Sequence, residues 1–384
     1  RVLFRSEAVK LEQLTFINNG SVTLSDKRSM AIEEKMDIAG QAEVWKRVLS
    51  FAESMALNCV VELGVPDIIH AKERALTVAE IASCIASEAP HVSHLERIMR
   101  LLANSKVFSV EYPIDGEGEP LYGLTGVSKW LLRDSNWTLA PMLLFHMNHP
   151  SLSPWLRLSQ CITEGGGLPF QMANGAPLWE YTKKDAAYNK VFNAGMACAA
   201  PIMTRGILEG YKGGIESLRG TVVDVGGGSG AFLAEIVKHN DRISAVNFDM
   251  AHVVEAAPKH HGVVHVGGSM FDTIPKADTI ILKTVLHDWG DEACVKILMN
   301  CRQSLDEKSG KMIIVELVLD PEGIDDPFEH IRLSVDLVMI AHCDGGKERT
   351  KNEWKKLLEA AGFHRINIIK VPALPSIIEA YPLP

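Results

Sequence analysis

The segment VVDVGGGSGAFLAEI, from Val222 to Ile236, constrains the fold of this chain more than any other stretch. Four glycines fill five positions between an apolar, strand-like run and a helical pattern that begins near Ala231. Because glycine has no Cβ, such a loop can turn sharply and let a ligand approach the backbone. In open parallel sheets, ligands bind beyond the carboxyl ends of the strands, where this loop lies. The segment therefore predicts a strand, a binding loop and a helix of an α/β domain.

Strand-like and helical patterns alternate from Thr221 towards the carboxyl end of the chain. The apolar runs read TVVDV, SAVNFD, GVVHV, TIILKTVL, KMIIVELVL, INIIKV and IIEAY. Runs of this kind, separated by helices, indicate a mostly parallel sheet that is covered on both faces. We therefore expect a doubly wound, Rossmann-like α/β domain over residues 137–384, with a helical segment at 137–210 and the sheet portion at 211–384.

The amino-terminal half begins with helical patterns. Apolar residues recur at helical spacing from Gln41 to His70, and Thr77 and Glu80 have the spacing of a capping box. A third amphipathic helix and two short strand-like pieces, separated by the turn sequence DGEGEP, complete a winged-helix pattern over residues 36–136.

Winged-helix domains can bind DNA or serve as packing and dimerisation modules, and the composition favours the second role. The third helix carries only Arg97, Arg100 and Lys106, beside Glu96, whereas DNA phosphates require clusters of Lys and Arg. Residues 1–35 show no clear period, and no Met precedes Met30. We expect this segment to be an unstructured tail, with residues 1–29 read through from upstream nucleotide sequence.

The formal net charge of −9 argues against nucleic acid or an anionic membrane as a partner. No unbroken apolar run reaches the roughly 18 residues of a membrane-spanning helix. The seven cysteines are scattered without CxxC or zinc-ligand spacing, which favours reduced thiols, no metal and a cytoplasmic location.

Two ligands fit the glycine loop. Gly226, Gly228 and Ala231 satisfy the G-x-G-x-x-A pattern of a dinucleotide site, and Asp249 follows at the spacing of a ribose-binding acid. The same pattern suits S-adenosylmethionine, which carries no phosphate. Asp224 favours S-adenosylmethionine, because a carboxylate beside the loop repels a pyrophosphate and attracts an α-amino group.

Several motifs together resemble the plant small-molecule O-methyltransferases of the caffeic acid O-methyltransferase type. They are VVDVGGGSG, NFDMAHVVEAAP, ILKTVLHDWGDEAC and HCDGGKERTKNEW, with LNCVVELGVPDII and FNAGM nearer the amino end. The resemblance extends from about Gln41 to Pro382. The phrases HVVEAAP and SIIEAYP are most similar to the members that methylate benzylisoquinoline and related alkaloids.

The resemblance implies S-adenosylmethionine as the methyl donor, S-adenosylhomocysteine as the product, and a homodimer. It assigns further cofactor contacts to Lys283 and to Met270, which is expected to pack on the adenine. Asp288 is expected to act on the cofactor indirectly, through another group. Relatives usually read GDMF where this chain has Ser269 before Met270. A neutral hydroxyl cannot give the charge-assisted hydrogen bond of a carboxylate, so the adenine side of the site departs from the family pattern.

The resemblance also makes His287 the catalytic base, with Glu316 and Glu348 beside it, where they can bond its ring N–H and stabilise the imidazolium. A phenol with a pKa of about 10 is ionised in only about one molecule in a thousand at pH 7, so a positioned base is useful. By pattern alone, His287 reads as a structural or surface residue. Glu316 could equally be an outward-facing acid, and Glu348 a carboxylate favoured at a helix start.

A substrate pocket is implied by resemblance for six residues, which by pattern alone could equally be ordinary core: Met147, Asn148, Tyr188, Phe192, Met196 and Met339. Thr284 stands where many relatives carry Trp, which predicts a roomier pocket. The sequence thus predicts a methyltransferase that acts on a phenolic plant metabolite, an alkaloid or a phenylpropanoid. An NAD-dependent oxidoreductase and a ligand-binding winged-helix regulator remain as alternatives.

Overall fold

The computed structural model describes residues 37–113, 118–323, 326–343 and 345–382. The chain divides into two units, residues 1–52 and 53–384. The expected tail, residues 1–35, lies outside the described residues, as does part of the DGEGEP turn.

Four helices and a hairpin form the amino-terminal part. Their bounds are α1 Ile38–Glu62, α2 Val65–Ala71, α3 Val78–Cys84, α4 Val92–Asn104, β1 Phe108–Glu111 and β2 Leu121–Leu124. The strands pair antiparallel, as a winged helix requires. The expected capping box is confirmed, because the Thr77 hydroxyl accepts from the Glu80 N–H and the Glu80 carboxylate accepts from the Thr77 N–H. The helical pattern from Gln41 to His70 is broken, since Gly64 adopts a left-handed φ of 70°.

Short helices then lead to one long helix. Their bounds are Ser128–Leu131 (3-10), α5 Ala140–His146, α6 His149–Leu152, Ser153–Arg157 (3-10), α7 Leu158–Thr163, α8 Pro169–Asn174, α9 Leu178–Lys184, α10 Ala186–Gly210 and α11 Lys212–Glu216. By length and composition α10 could cross a membrane, which the count of unbroken apolar runs overlooked. In the structure its carboxyl end packs on the chain at 371–373. A Cβ on Gly206 would lie 2.6 Å from the carbonyl oxygen of Pro372.

A seven-stranded sheet forms the rest of the domain, in the order β10-β11-β7-β6-β3-β4-β5. Its strands are β3 Gly220–Val225, β4 Ile243–Asp249, β5 Val263–Gly267, β6 Thr279–Lys283, β7 Lys311–Glu316, β10 Arg365–Lys370 and β11 Ser376–Tyr381. β3 to β7 are parallel, and β11 pairs antiparallel with β7 and β10. A separate parallel pair joins β8 Val318–Leu319 to β9 Arg349–Thr350.

Helices cover both faces of this sheet. They are α12 Ala231–His239, α13 Ala251–Ala256, α14 Asp291–Ser304 and α16 Lys351–Ala360, together with α10 and α11; α15 Glu329–His342 packs instead against β8 and α8. Alternate β3 residues face opposite cores, because Val222 packs with α10 and α12 and Val223 packs with α14 and α16. The expected doubly wound α/β class is therefore confirmed, and the carboxyl ends of β3, β4, β6 and β7 meet at one edge.

Candidate active site

The glycine loop joins β3 to α12 and is held by the end of β4. The Gly226 N–H donates to the Phe248 carbonyl at 2.8 Å, and the Gly228 N–H donates to Asp249 Oδ2 at 2.8 Å. Gly226 has a φ of 72°, and a Cβ there would lie 2.8 Å from Val285 Cγ2. Only glycine fits this position without strain, and the loop therefore lies directly against the segment that follows β6.

Asp224 is a buried carboxylate at the end of β3. Neither of its oxygens has a hydrogen-bond partner among the described residues, and the same is true of Asn247 Oδ1. Burial raises the pKa of Asp224 to about 7, with Lys283 opposing the rise and Asp249 adding to it. Such a group needs a proton or a cation, and the α-ammonium of S-adenosylmethionine is a cation of suitable chemistry. Gly227 leaves the approach open, because a Cβ there would lie 2.7 Å from Asp224 Oδ2.

The other predicted cofactor residues surround the same edge. Asp249 Oδ1 accepts from the Met250 N–H at 2.7 Å, and the Asp249 carbonyl accepts from the Gly268 N–H at 2.9 Å, which ties the segment after β5 to the end of β4. In that segment the Ser269 hydroxyl accepts from the Phe271 N–H at 3.2 Å, and Met270 is partly buried against the core.

Lys283 ends β6 with its ammonium free of carboxylates. Within the described chain no carboxylate oxygen lies within 4.0 Å of its Nζ, which donates to the Thr284 hydroxyl at 3.4 Å and lies 5.6 Å from the Phe232 ring centroid. Thr284 has a left-handed φ of 52°, so the strand ends here rather than continuing to Leu286 as the apolar run suggested. The chain then enters a one-turn 3-10 helix, Leu286–Asp288.

We call residues 285–289 the His287 turn. Glu316, at the end of β7, accepts hydrogen bonds from three successive backbone N–H groups of this turn through one oxygen, Oε1. The distances are 2.9 Å to Val285, 2.8 Å to Leu286 and 3.4 Å to His287. The left-handed Thr284 directs these N–H groups towards one point, as in the backbone nests that bind anions. The expectation that Glu316 bonds the imidazole is therefore wrong, because it binds the backbone that carries the ring.

Glu348 is the group that bonds the imidazole. Its Oε1 lies 2.9 Å from His287 Nδ1, and its side chain is fully buried while the His287 side chain is 19% exposed. The backbone N–H of Glu348 donates to Asp336 on α15 at 2.9 Å. Asp288 Oδ1 lies 3.7 Å from His287 Nε2, the nitrogen that Glu348 leaves free.

Three carboxylates determine the charge of the imidazole. Burial favours the neutral ring, but Glu316, Glu348 and Asp288 outweigh it and raise the pKa of His287 to about 10. Burial also raises the pKa of Glu316, against the attraction of His287 and the N–H bonds. A ring nitrogen of His287 and one carboxylate oxygen each of Glu316 and Glu348 lie within 4.8 Å of one another, a spacing at which they could be ligands of a metal ion. Hydrogen bonds engage Glu316 Oε1, Glu348 Oε1 and His287 Nδ1, while the Oε2 atoms of both glutamates have no hydrogen-bond partner among the described residues.

The predicted substrate residues divide into two groups. Tyr188 and Phe192, on α10, join a buried aromatic cluster with Phe145 and Phe170, and the Phe145 and Phe192 rings meet edge to face at 5.3 Å between centroids. Met339 is buried on α15, and its Cε would lie 3.0 Å from a Cβ on Gly346, in the loop before Glu348.

Like Met339, the other three predicted substrate residues lie outside that aromatic cluster. Met147 and Asn148 connect α5 to α6, and Met196 is 41% exposed on α10.

Sequence reasoning missed residues that act from behind the site. Arg349 is fully buried beside the His287 turn, Asp336 fixes the backbone of Glu348, and Asn247 lies beneath the glycine loop. A charged residue next to Glu348 in a short strand was the available signal for Arg349, but its partners lie about 60 residues away along the chain.

Glu316 should be replaceable by Gln but not by Ala. In Glu316→Gln the amide oxygen still accepts the N–H groups of the His287 turn, whereas Glu316→Ala leaves at least two buried donors unpaired, at about 1–3 kcal/mol each. We expect denaturant unfolding to show Glu316→Ala destabilised by roughly 2 kcal/mol or more. Glu316→Gln should stay close to wild type, and equal loss in both variants would contradict the backbone role.

Comparisons with known proteins show which family the chain is similar to. Residues 155–364 match the family model of the O-methyltransferase domain, and residues 45–134 match that of the O-methyltransferase dimerisation domain. The (R,S)-reticuline 7-O-methyltransferase of Papaver somniferum is 45% identical over 90% of this chain and 98% of its own length. The xanthohumol 4-O-methyltransferase of Humulus lupulus is 46% identical over 90% of this chain and 96% of its own length.

A solved structure has the same fold. It is a methyltransferase of calicheamicin biosynthesis in an SAH-bound form, 25% identical, with a TM-score of 0.78 over 90% of this chain and 99% of that one. Neither the oxidoreductase nor the regulator alternative has support among these relatives. The chain belongs to the plant O-methyltransferase family of the caffeic acid type, and it is an enzyme that uses S-adenosylmethionine as its methyl donor.

Proposed function

We propose that this enzyme methylates a phenolic hydroxyl of a plant alkaloid or phenylpropanoid, with His287 as the base. The observation that carries the proposal is an imidazole bonded at Nδ1 to the buried Glu348, on a turn that packs against the glycine loop. Its Nε2 is left to face an acceptor. Relatives named for an alkaloid and for a prenylated phenol, both near 45% identity, support the same acceptor class.

The residues at the carboxyl edge of the sheet are suited to hold the methyl donor. S-adenosylmethionine supplies a methyl group that is already activated on its sulfonium. Asp224 offers a carboxylate without a partner to the α-amino group, and Asp249 has lone pairs left for ribose hydroxyls. Gly226 and Gly228 shape the loop, while Ser269, Met270, Lys283 and Asp288 complete the proposed cofactor set.

His287 is matched to a phenol in acidity. The carboxylates raise the pKa of His287 towards that of a phenol, about 10, so proton transfer from the phenol is less unfavourable than to a free imidazole. A free imidazole, with a pKa of 6.5, would take that proton in only about one case in three thousand. The same match means that the ring is mostly protonated at neutral pH. Only the small neutral fraction takes the proton of the phenol, and Glu348 stabilises the imidazolium that this transfer forms.

The aromatic cluster on α10 suits a flat acceptor. Tyr188, Phe192, Met147, Met196 and Met339 offer rings and thioethers, which contact aromatic molecules favourably. Asn148 adds an amide that can bond an acceptor oxygen. A panel assay tests the class: labelled S-adenosylmethionine with catechols, phenylpropanoids, chalcones and hydroxylated isoquinolines. Labelled product from a phenol supports the proposal, and NADH turnover without methyl transfer would refute it.

We also propose a cytoplasmic homodimer. The dimerisation-domain match begins in α1, where Val44, Trp45, Val48, Leu49 and Phe51 are exposed apolar side chains. Unpaired apolar surface on this scale favours association with a second copy. Light scattering at micromolar concentration should report a dimer, and Trp45→Glu with Val48→Glu should shift it towards monomer with lower activity. A fully active wild-type monomer would count against this assembly.

His287→Ala should abolish methyl transfer while leaving cofactor affinity nearly unchanged, since the imidazole acts on the acceptor. A general base contributes about 10²–10⁴ in rate, so at least a hundredfold loss is expected. Calorimetry with S-adenosylhomocysteine measures the cofactor side. His364→Ala, an exposed His just before the edge strand β10, is the matched control. More than about a tenth of wild-type turnover in His287→Ala would show that another group takes the proton.

The pH dependence should reveal the carboxylates around the ring. Only the neutral imidazole accepts a proton, so kcat/KM should rise through pH 7–9 rather than level off above 6.5. Glu348→Gln removes a charge that raises the pKa of His287, so its acidic limb should move to lower pH. Glu359→Gln, a remote exposed carboxylate, should leave the limb in place. An unshifted limb in Glu348→Gln would mean that Glu348 does not control the ring.

A further inference from the structure

Arg349 is a fully buried arginine directly behind the His287 turn. Its Nη1 donates to the Leu286 carbonyl at 3.1 Å, and its Nη2 donates to the Trp289 carbonyl at 2.8 Å. Nε and Nη2 both bond Asp291 Oδ1, at 3.0 and 2.8 Å. Asp291 therefore compensates the charge of the guanidinium, and two of its nitrogens donate to the Leu286 and Trp289 carbonyls of the turn.

These bonds complete the fixation that Glu316 begins. Glu316 binds the N–H groups of the turn from β7, and Arg349 binds its carbonyl groups from β9. Lys347, two residues earlier, donates its backbone N–H to the His287 carbonyl at 2.9 Å. Lys347 and Arg349 flank Glu348 in sequence, and Glu316 lies two residues before β8, the strand that pairs with β9. The same strands therefore hold the His287 turn and the carboxylate that bonds its ring.

The chemistry of the support requires arginine. A guanidinium presents donors in a rigid planar fork, and four different acceptors are bonded at once here: the Leu286 and Trp289 carbonyls, Asp291 Oδ1 and Cys294 Sγ. A lysine ammonium carries one nitrogen in place of three, so it cannot bond Asp291 through two nitrogens while it also bonds the Leu286 and Trp289 carbonyls. The Trp354 ring, 5.4 Å from the guanidinium carbon, covers the remaining face.

We propose that Arg349 is a positioning residue for methyl transfer. It holds the His287 turn in register with Glu348, so that the imidazole keeps its bond to that carboxylate and its Nε2 keeps its direction. The proposal rests on His287 being the base. Without Arg349 the Leu286 and Trp289 carbonyls keep only the weaker bonds from the Cys294 thiol, at 3.2 and 3.3 Å. We expect the Nδ1–Oε1 contact then to lengthen and the ring to become a weaker base.

Arg349→Met and Arg349→Lys test this against Arg332→Met. Arg332 is an equally buried arginine that bonds Asp326, Glu329 and the Leu374 carbonyl, with no bond to the His287 turn. The first readout needs no acceptor: His287 is titrated by NMR in protein labelled at histidine Cε1, its signal assigned by its loss in His287→Ala. The second is kcat and KM for the phenol that the wild type turns over fastest. The third is calorimetry with S-adenosylhomocysteine.

We expect Arg349→Met to lower the pKa of His287 by about one unit or more, since a carboxylate contact is loosened. Its kcat should fall about a hundredfold, the effect of a misplaced catalytic group, with KM and S-adenosylhomocysteine affinity within a few-fold of wild type. Arg349→Lys should recover part of both losses. Arg332→Met should lower stability without moving the pKa.

Two results would overturn the positioning role. One is a His287 titration in Arg349→Met that coincides with wild type, and the other is a kcat no lower than that of Arg332→Met. If Arg349→Met does not fold, Arg349→Lys decides by the same two measurements. An active His287→Ala would instead remove the proposed base itself, so the two failures can be told apart.

Discussion

A single buried carboxylate oxygen organises the centre of this enzyme. Glu316 Oε1 gathers the N–H groups of the His287 turn, and its charge acts on the imidazole through space rather than through a bond. A carboxylate without exposure is costly unless donors surround it, and the turn supplies those donors. The turn and the acid therefore depend on each other, and the position of His287 follows from their pairing.

Much of the fold could be predicted because its signals are local. Strand periods, the glycine loop and the Thr77 capping box each lie within a few residues, and each was found where expected. The end of β6 was misjudged because TIILKTVL is largely apolar and reads as one strand. The strand ends at Thr284, which adopts a left-handed φ of 52°, and the N–H groups that follow bond Glu316 on β7.

The site could be predicted only in part. His287 and Glu348 were named through family resemblance and are bonded in the structure. Glu316 stabilises the imidazolium as expected, but its expected bond to the ring was wrong, and Arg349 was missed. The difference is physical. A residue type suggests which chemistry is available, but the choice between bonding a ring and bonding a backbone depends on where a distant turn directs its N–H groups.

The long helix α10, about 37 Å in length, makes different contacts at its two ends. Its first half carries Tyr188 and Phe192 into the aromatic cluster, and its last turns are fixed to the sheet through Gly206. If Tyr188 and Phe192 line the acceptor pocket as proposed, changes near the start of α10 reach the acceptor side, whereas its end packs on α12, the helix that follows the glycine loop. On that assignment, a few substitutions in the first half of one helix change the methylated molecule while the methyl-donor site stays the same.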